Sequence, residues 1–113
     1  DAAAVADWML SPFQAHSVRD HPNHDRPLNG GLWGATNASS IAGTVRRRAR
    51  RFADHDSYGA DLDFLQTAVL PVLDDDLLAH DAYTCTKYAN SRPFPTKRPR
   101  DFQHVGQVFD EFD

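Results

Sequence analysis

Cysteine, methionine and long hydrophobic runs are scarce in this sequence. A single cysteine, Cys85, among 113 residues excludes an internal disulfide and a zinc site built from several thiolates. We interpret this lone thiol as a small buried hydrophobic residue rather than a nucleophile. No segment approaches the ~18 to 20 consecutive apolar residues of a membrane span, and the apolar start at residues 2–6 follows no basic region. The sequence therefore predicts neither a membrane span nor a signal peptide.

An excess of positive charge is lacking as well. Twelve basic residues face sixteen acidic ones, and the net charge of −4 argues against a nucleic-acid-binding protein. Five arginines are concentrated at residues 46–51. We interpret them as the solvated face of a helix, and a patch that binds a polyanion is the alternative. Apolar residues at 41% and charged residues at 25% are typical of a globular protein.

Hydrophobic spacing predicts an α/β chain of short strands and three helices, forming a single domain or part of one. In the first helix we expect Asp1 as the N-cap and Val5, Trp8 and Met9 on one side. An apolar segment at residues 105–109 comes last. The predicted helices cover residues 2–10, 41–52 and 60–73, and the predicted strands cover residues 13–19 and 77–79.

Three polar clusters could carry chemistry, since carboxylates and imidazoles bind divalent ions and transfer protons near neutral pH. The spacing of His21 and His24 resembles a zinc motif, but Pro22 between them prevents the one-turn helical arrangement that such a motif needs. Taken singly, each cluster also has a structural interpretation as a loop cap or a helix-dipole partner. The clusters are residues 19–21 with His24, Asp61 with Asp63, and His80 with Asp81.

The order of these motifs resembles the second half of GT-A-fold glycosyltransferases of the glycogenin-like and galactosyltransferase-like kind. The matching series is Asn29-Gly30-Gly31-Leu32, an amphipathic helix, Asp61-Leu62-Asp63-Phe64-Leu65, and then His80-Asp81. Leu62 stands where those enzymes have a glutamine.

A second resemblance covers nearly the whole chain. A poorly characterised group of glycosyltransferase-like proteins carries the motifs R-D-H-P-x-H, G-G-x-W-G, H-D, P-F-P-T-x-R and V-G-x-V-F-D-E. They occur here at residues 19–24, 30–34, 80–81, 93–98 and 105–111. In that group an acidic D-S-R-type segment lies upstream, so we expect the main metal ligands and the nucleotide-binding sheet in a missing N-terminal half or a partner chain.

The resemblance implies a nucleotide-sugar donor, a carbohydrate acceptor and a divalent metal (Mn or Mg) in the complete enzyme. It also implies that His21, Trp33, Asp61 and His80 surround one shared hollow. By role, the implied residues are Arg19, Asp20, His21, Gly30, Gly31 and Trp33 for substrate binding, Asp61, Asp63 and Asp81 for catalysis, and His80 for the metal.

Two other functions stay open at this point. The chain could be a non-catalytic carbohydrate- or protein-binding module derived from the same fold, which the leucine at position 62 favours. It could also be a metal-dependent hydrolase or nuclease that uses His21, His24, His80 and Asp81, because the same ligands suit that chemistry. The sequence indicates neither the compartment nor the oligomeric state.

Overall fold

The computed structural model describes residues 1–21, 26–37, 40–73, 75–82, 85 and 88–96. These residues form a small α/β domain in which helices cover both faces of a four-stranded mixed sheet. The predicted role of His24 and the predicted segment at residues 105–111 lie outside the described residues. In the described part, no helix is both long and apolar enough to cross a membrane.

The sheet has the strand order β2-β1-β3-β4. Its central strands, β1 (Ala15–Arg19) and β3 (Leu77–Asp81), run parallel, so their carboxyl ends lie at the same edge. The edge strand β2 (Trp33–Ala35) is antiparallel to β1, and β4 (Ser91–Arg92) is parallel to β3. The two central strands confirm the predicted strands, whereas the short edge strands were not predicted.

Three helices accompany the sheet, as predicted. Helix α1 (Ala2–Met9) is capped by Asp1, whose Oδ1 accepts hydrogen bonds from the backbone N–H groups of Ala3 at 2.9 Å and Ala4 at 3.4 Å. Helix α2 (Ser40–Phe52) follows β2. The third helix begins after Gly59, whose φ of +82° is a conformation that favours glycine.

The third helix contains a widened turn. It runs without a break from α3 (Ala60–Phe64) through a π-helical segment (Leu65–Val69) into α4 (Leu70–Leu73). Pro71 has no N–H, and its ring crowds the carbonyl four residues before it in a regular α-helix. We attribute the wider turn to Pro71, because a π-helical segment moves that carbonyl away from the ring.

The two faces of the sheet bury different side chains, because neighbouring residues of a strand point to opposite faces. One face is covered by α2 and the third helix, and we call it the helix face. There Ala15 and Leu77 join the hydrophobic core with residues of these helices. On the opposite face, His16 and His80 lie against α1. The fully or nearly fully buried members of the core cluster are Ala15, Leu28, Ile41, Leu65, Val69, Leu73 and Leu77.

Of the three apolar residues that share one side of helix α1, only Trp8 packs against the sheet. Val5 is 42% exposed and Met9 is 75% exposed, whereas Ala4 is buried at 1%. The inward side carries Asp7, whose carboxylate is paired with His80 across the helix–sheet interface. Apolar spacing gave no sign of this pairing, because the partner of Asp7 lies on a distant strand.

The core predicts a clear stability contrast between two leucines. Leu73→Ala should lower the free energy of unfolding by about 2 to 5 kcal/mol, because Leu73 is fully buried and its truncation leaves a cavity. Leu10→Ala is the matched control, since Leu10 is 89% exposed and its truncation should cost no more than about 0.5 kcal/mol. Urea unfolding of both variants measures the difference. Equal losses of stability in the two variants would contradict the burial of Leu73 in the core.

Candidate functional site

A cavity of about 340 Å³ lies between α1 and the β1–β2 edge of the sheet. We call it the α1–β2 cavity. Its wall is largely apolar and aromatic, and its polar side chains are the imidazole of His16 and the carboxylate of Asp1. The side chains and backbone that line it include Trp8, His16, Val18, Gly31, Trp33 and Phe94.

The aromatic wall is held in place by Trp8. The indole Nε1 donates a hydrogen bond of 2.9 Å to the carbonyl of Phe13, which fixes the orientation of the ring. The indole also stacks on the imidazole of His16, with ring centroids 5.4 Å apart and an interplanar angle of 13°. Helix α1 and strand β1 therefore present a single pre-arranged surface to the cavity.

Behind this wall, three side chains form a continuous hydrogen-bonded chain. Nε2 of His16 lies 2.8 Å from Nδ1 of His80, and Nε2 of His80 lies 3.0 Å from Oδ2 of Asp7. Arg92 completes the array by donating to the same carboxylate at 3.0 Å. His80 is fully buried and His16 is 6% exposed, so most of this Asp7–His80–His16 chain lies out of water.

The charges of the Asp7–His80–His16 chain determine its proton positions. Burial acts to raise the pKa of Asp7, but hydrogen bonds from Arg92 and His80 outweigh it and hold that pKa below its usual value. Burial lowers the pKa of His80 despite the nearby carboxylate. Burial and the neighbouring His80 lower the pKa of His16 to about 4. At neutral pH the Asp7–His80–His16 chain therefore consists of one carboxylate and two neutral imidazoles.

An ionised carboxylate only accepts hydrogen bonds, and this fixes both tautomers. Asp7 must receive the proton of His80 Nε2, which leaves Nδ1 of His80 as an acceptor. Nε2 of His16 must then donate to that acceptor, and Nδ1 of His16 carries no proton. The order of donors along the chain follows from the geometry and from the charge on Asp7.

On the helix face of the sheet, Arg19 and Asp81 form a second polar arrangement that is closed. They lie opposite each other in the parallel register, with Nη1 of Arg19 3.5 Å from Oδ2 of Asp81 and side chains 2% and 0% exposed. The guanidinium also lies 4.2 Å from the centroid of the Tyr88 ring. The guanidinium is therefore enclosed by protein groups.

The remaining donors of Arg19 hold the chain that follows β1. Its Nε donates to the carbonyl of Arg26 at 2.9 Å and its Nη1 donates to the hydroxyl of Ser91 at 3.0 Å. Ser17 adds a hydrogen bond of 2.8 Å to the carbonyl of Pro27. Arg19 thus anchors a loop to the sheet. This position argues against its predicted role in substrate binding.

The predicted catalytic role of Asp81 meets the same difficulty, because its carboxylate is fully buried against Arg19. Asp20, which directly follows β1, is also fully buried, and His21 beyond it is half-buried. Cys85 donates to the carbonyl of Asp81 at 3.0 Å, and burial together with Asp81 raises the pKa of the thiol. The thiol therefore stays protonated, in keeping with the interpretation that it is no nucleophile.

Asp61 and Asp63 are not part of the cavity. Both are exposed, in the first turn of α3 on the helix side of the sheet. Asp61 lies beside Gly30, where a Cβ would come within 3.0 Å of its Oδ2, and it faces a separate hollow lined by Phe52 and Phe64. The expectation that Asp61 and His80 surround one hollow is therefore wrong, because the sheet separates them.

Among the predicted site residues, Gly31 and Trp33 do line the α1–β2 cavity. Gly31 has φ of +71°, a backbone conformation that side chains disfavour, and a Cβ there would meet no atom within 4 Å. Trp33 pairs with Ser17 on β1 and packs against the core cluster. It therefore lines the cavity while it also contacts the core on the helix face of the sheet. His80 is one residue removed from the cavity, behind His16.

The described side chains do not fit a resident divalent metal. Both ring nitrogens of His80 are already engaged, by His16 and by Asp7. Within the described ranges, no three histidine, cysteine, aspartate or glutamate side chains form a group that could hold a metal ion. The histidine that the resemblance assigns to a metal is therefore held by protein contacts instead.

Sequence reasoning missed Asp7, Trp8 and His16 as site residues. The alternation along β1 did separate His16 and Val18 from Ser17 and Arg19, and that was the available signal. This alternation did not show the partner of His16. Without a known partner, a histidine on a strand face is interpreted as structural. Only the packing of α1 on the same face reveals the Asp7–His80–His16 chain.

Comparison with known proteins adds no relative. The chain matches no protein-family model, no curated protein and no solved structure. The resemblance to glycosyltransferases therefore rests on the motifs named above, and the site has to be judged by its own geometry.

The closed ion pair predicts a large stability effect. Asp81→Asn should lower the free energy of unfolding by about 3 to 5 kcal/mol, because it removes the negative charge that is paired with the buried guanidinium of Arg19. Asp56→Asn is the matched control, since Asp56 is exposed and its change should stay within about 0.5 kcal/mol. Denaturant unfolding measures both. A loss below 1 kcal/mol at Asp81 would contradict a structural role for the pair.

The low pKa of His16 predicts a loss of stability in mild acid. Folding lowers that pKa from 6.5 to about 4, so the unfolded chain takes up the proton first as pH falls. The stabilisation is present above pH 6.5 and is lost as pH falls toward 4. Between pH 7 and pH 5 the loss from His16 should be about 2 kcal/mol, and His80 adds to it in the same direction.

Chemical unfolding at pH 7, 6 and 5 measures this dependence. His16→Phe keeps an aromatic ring against Trp8 and removes the titrating group, so its stability should change less over the same range. Parallel pH curves for the wild-type chain and His16→Phe would contradict the burial of a neutral imidazole.

Proposed function

We propose that this chain forms the carbohydrate-binding part of a GT-A-like glycosyltransferase that takes its sugar from a nucleotide-sugar donor. The motif order and the α/β architecture support this assignment. The observation that carries it is the α1–β2 cavity, whose wall combines aromatic rings with a single imidazole. Small-molecule sites are typically concave and mostly apolar, with a few placed polar groups.

A sugar ring has the surface that such a wall binds. Its axial C–H groups form apolar patches that pack on aromatic faces, while its hydroxyls need hydrogen-bond partners. Trp8 and Phe94 supply the faces, and His16 supplies the polar contact. At about 340 Å³ the cavity is at the small end of ligand sites, which suits one sugar unit rather than an oligosaccharide.

The contribution of this chain to sugar transfer is to bind and orient. Holding an acceptor hydroxyl in a fixed position relative to the donor lowers the entropic part of the barrier. The donor nucleotide and any divalent metal that balances its diphosphate belong to the remainder of the enzyme in this proposal. The residues described here bind the ring, exclude water from its apolar face and fix its hydroxyls.

A non-catalytic binding module is the second candidate. The engagement of Asp81 by Arg19 and of His80 by Asp7 favours it, because these predicted catalytic and metal-binding groups are occupied by protein contacts. Both candidates use the same cavity. They differ in whether a nucleotide attached to the sugar adds affinity.

Titration with simple glycosides tests the shared part of both proposals. Methyl β-D-glucopyranoside, methyl β-D-galactopyranoside and methyl α-D-mannopyranoside are added to the labelled chain and followed by NMR. At least one should shift the Trp8 and Gly31 signals with Kd on the order of 1 mM. Trp8→Ala should weaken that binding about tenfold, whereas Tyr58→Ala, which changes a fully exposed ring, should not.

Calorimetry then separates the two candidates. UDP-glucose and GDP-mannose are compared with the corresponding methyl glycosides on the same chain. Tighter binding of a nucleotide sugar supports the transferase, and equal binding supports the module. If no glycoside reaches the cavity at millimolar concentration, neither proposal stands.

A further inference from the structure

Only one ring nitrogen of His16 is hydrogen-bonded to the residues that the structure describes. In the described part of the chain its Nε2 contacts His80, and its Nδ1 contacts no hydrogen-bond partner. Among the same residues, no buried side-chain nitrogen or oxygen lacks a partner. Nδ1 therefore reaches accessible surface even though His16 as a whole is only 6% exposed. The surface beside His16 is the wall of the α1–β2 cavity.

The proton order of the Asp7–His80–His16 chain gives this nitrogen a fixed character. Each hydrogen bond of the Asp7–His80–His16 chain points its proton toward Asp7. Nδ1 of His16, at the other end, therefore carries an unprotonated lone pair. Asp7 is itself held by Arg92 at 3.0 Å, which keeps its carboxylate in the accepting position. The cavity thus contains a hydrogen-bond acceptor on His16 whose direction and protonation are set through His80, 64 residues away in sequence.

We propose that Nδ1 of His16 accepts a hydrogen bond from a hydroxyl group of an uncharged ligand in the α1–β2 cavity, and that Asp7 and His80 are positioning residues that keep this nitrogen unprotonated. The ligand class is a hydroxyl-rich, neutral molecule with one apolar face. That it is a sugar rests on the function proposed above. The acceptor itself follows from the geometry of the chain.

The same arrangement makes His16 a recognition group rather than a general base. A base works best when its pKa lies near the working pH, whereas burial and His80 bring the pKa of His16 to about 4. A neutral imidazole with so low a pKa accepts a hydrogen bond without taking the proton. It also selects against ligands that present only acceptor atoms at that point, because two lone pairs would then face each other.

NMR of the labelled chain tests the tautomer first. Long-range ¹H–¹⁵N correlation distinguishes protonated from unprotonated ring nitrogens at pH 7. We expect His16 and His80 both to carry the proton on Nε2. A proton on Nδ1 of His16 would overturn the proposal, whatever ligand the cavity takes.

A pair of matched ligands tests recognition. The first is the methyl glycoside that binds most tightly, and the second is the same glycoside with every hydroxyl methylated, which keeps the ring oxygens but donates no hydrogen bond. We expect the first to shift the ¹⁵N resonance of His16 Nδ1 and the second to bind at least tenfold more weakly. Shifts at Trp8 and Gly31 without a shift at Nδ1 would overturn the role of His16 and leave the proposed function standing. Absence of any glycoside binding would remove both.

Two variants test the positioning residues. Asp7→Ala should populate both tautomers of His16 and weaken glycoside binding about fivefold to tenfold, and Asp56→Ala, at an exposed site, should do neither. His16→Phe should lose about tenfold in affinity while it keeps the stack on Trp8. An unchanged tautomer and affinity in Asp7→Ala would contradict the proposal. If that variant does not fold, the tautomer and the ligand pair in the wild-type chain still decide the question.

Discussion

The parallel pairing of β1 with β3 is the constraint on which the rest of the structure depends. Its register places Arg19 opposite Asp81 and brings His16 diagonally next to His80. Because strand residues alternate between faces, one polar pair lies on the helix face and the other lies under α1. Buried polar groups are costly unless they are paired, so each face had to provide partners for its own pair.

The two faces meet that requirement in different ways. On the helix face, Arg19 is enclosed by Asp81, a serine hydroxyl, loop carbonyls and an aromatic ring. Its contacts fix the loop after β1 and stabilise the fold. On the other face, Asp7 orders a chain of imidazoles that ends at an accessible nitrogen beside a cavity. The first arrangement is complete without a ligand, whereas the second leaves one acceptor free, and this is why we place the site under α1.

The separation of the two faces also accounts for the failure of the predicted shared hollow. The sequence order of the motifs suggested that Asp61 and His80 converge. In this chain Asp61 belongs to the third helix on one side of the sheet, and His80 belongs to the face that α1 covers. A strand residue one position away would have faced the other side. The spacing of the motifs along the chain does not show which face of the sheet each residue occupies.

The sequence by itself determined the helices and two of the four described strands, because hydrophobic period, capping residues and glycine positions are local properties. It predicted the three helices, the Asp1 cap and strands at residues 13–19 and 77–79. The tertiary structure alone decided that Asp7 faces inward, that Arg19 is enclosed and that His16 ends a proton-ordered chain. These depend on contacts between residues as far apart as 73 positions, and the energy of a buried charge is set by its partner rather than by its neighbours in sequence.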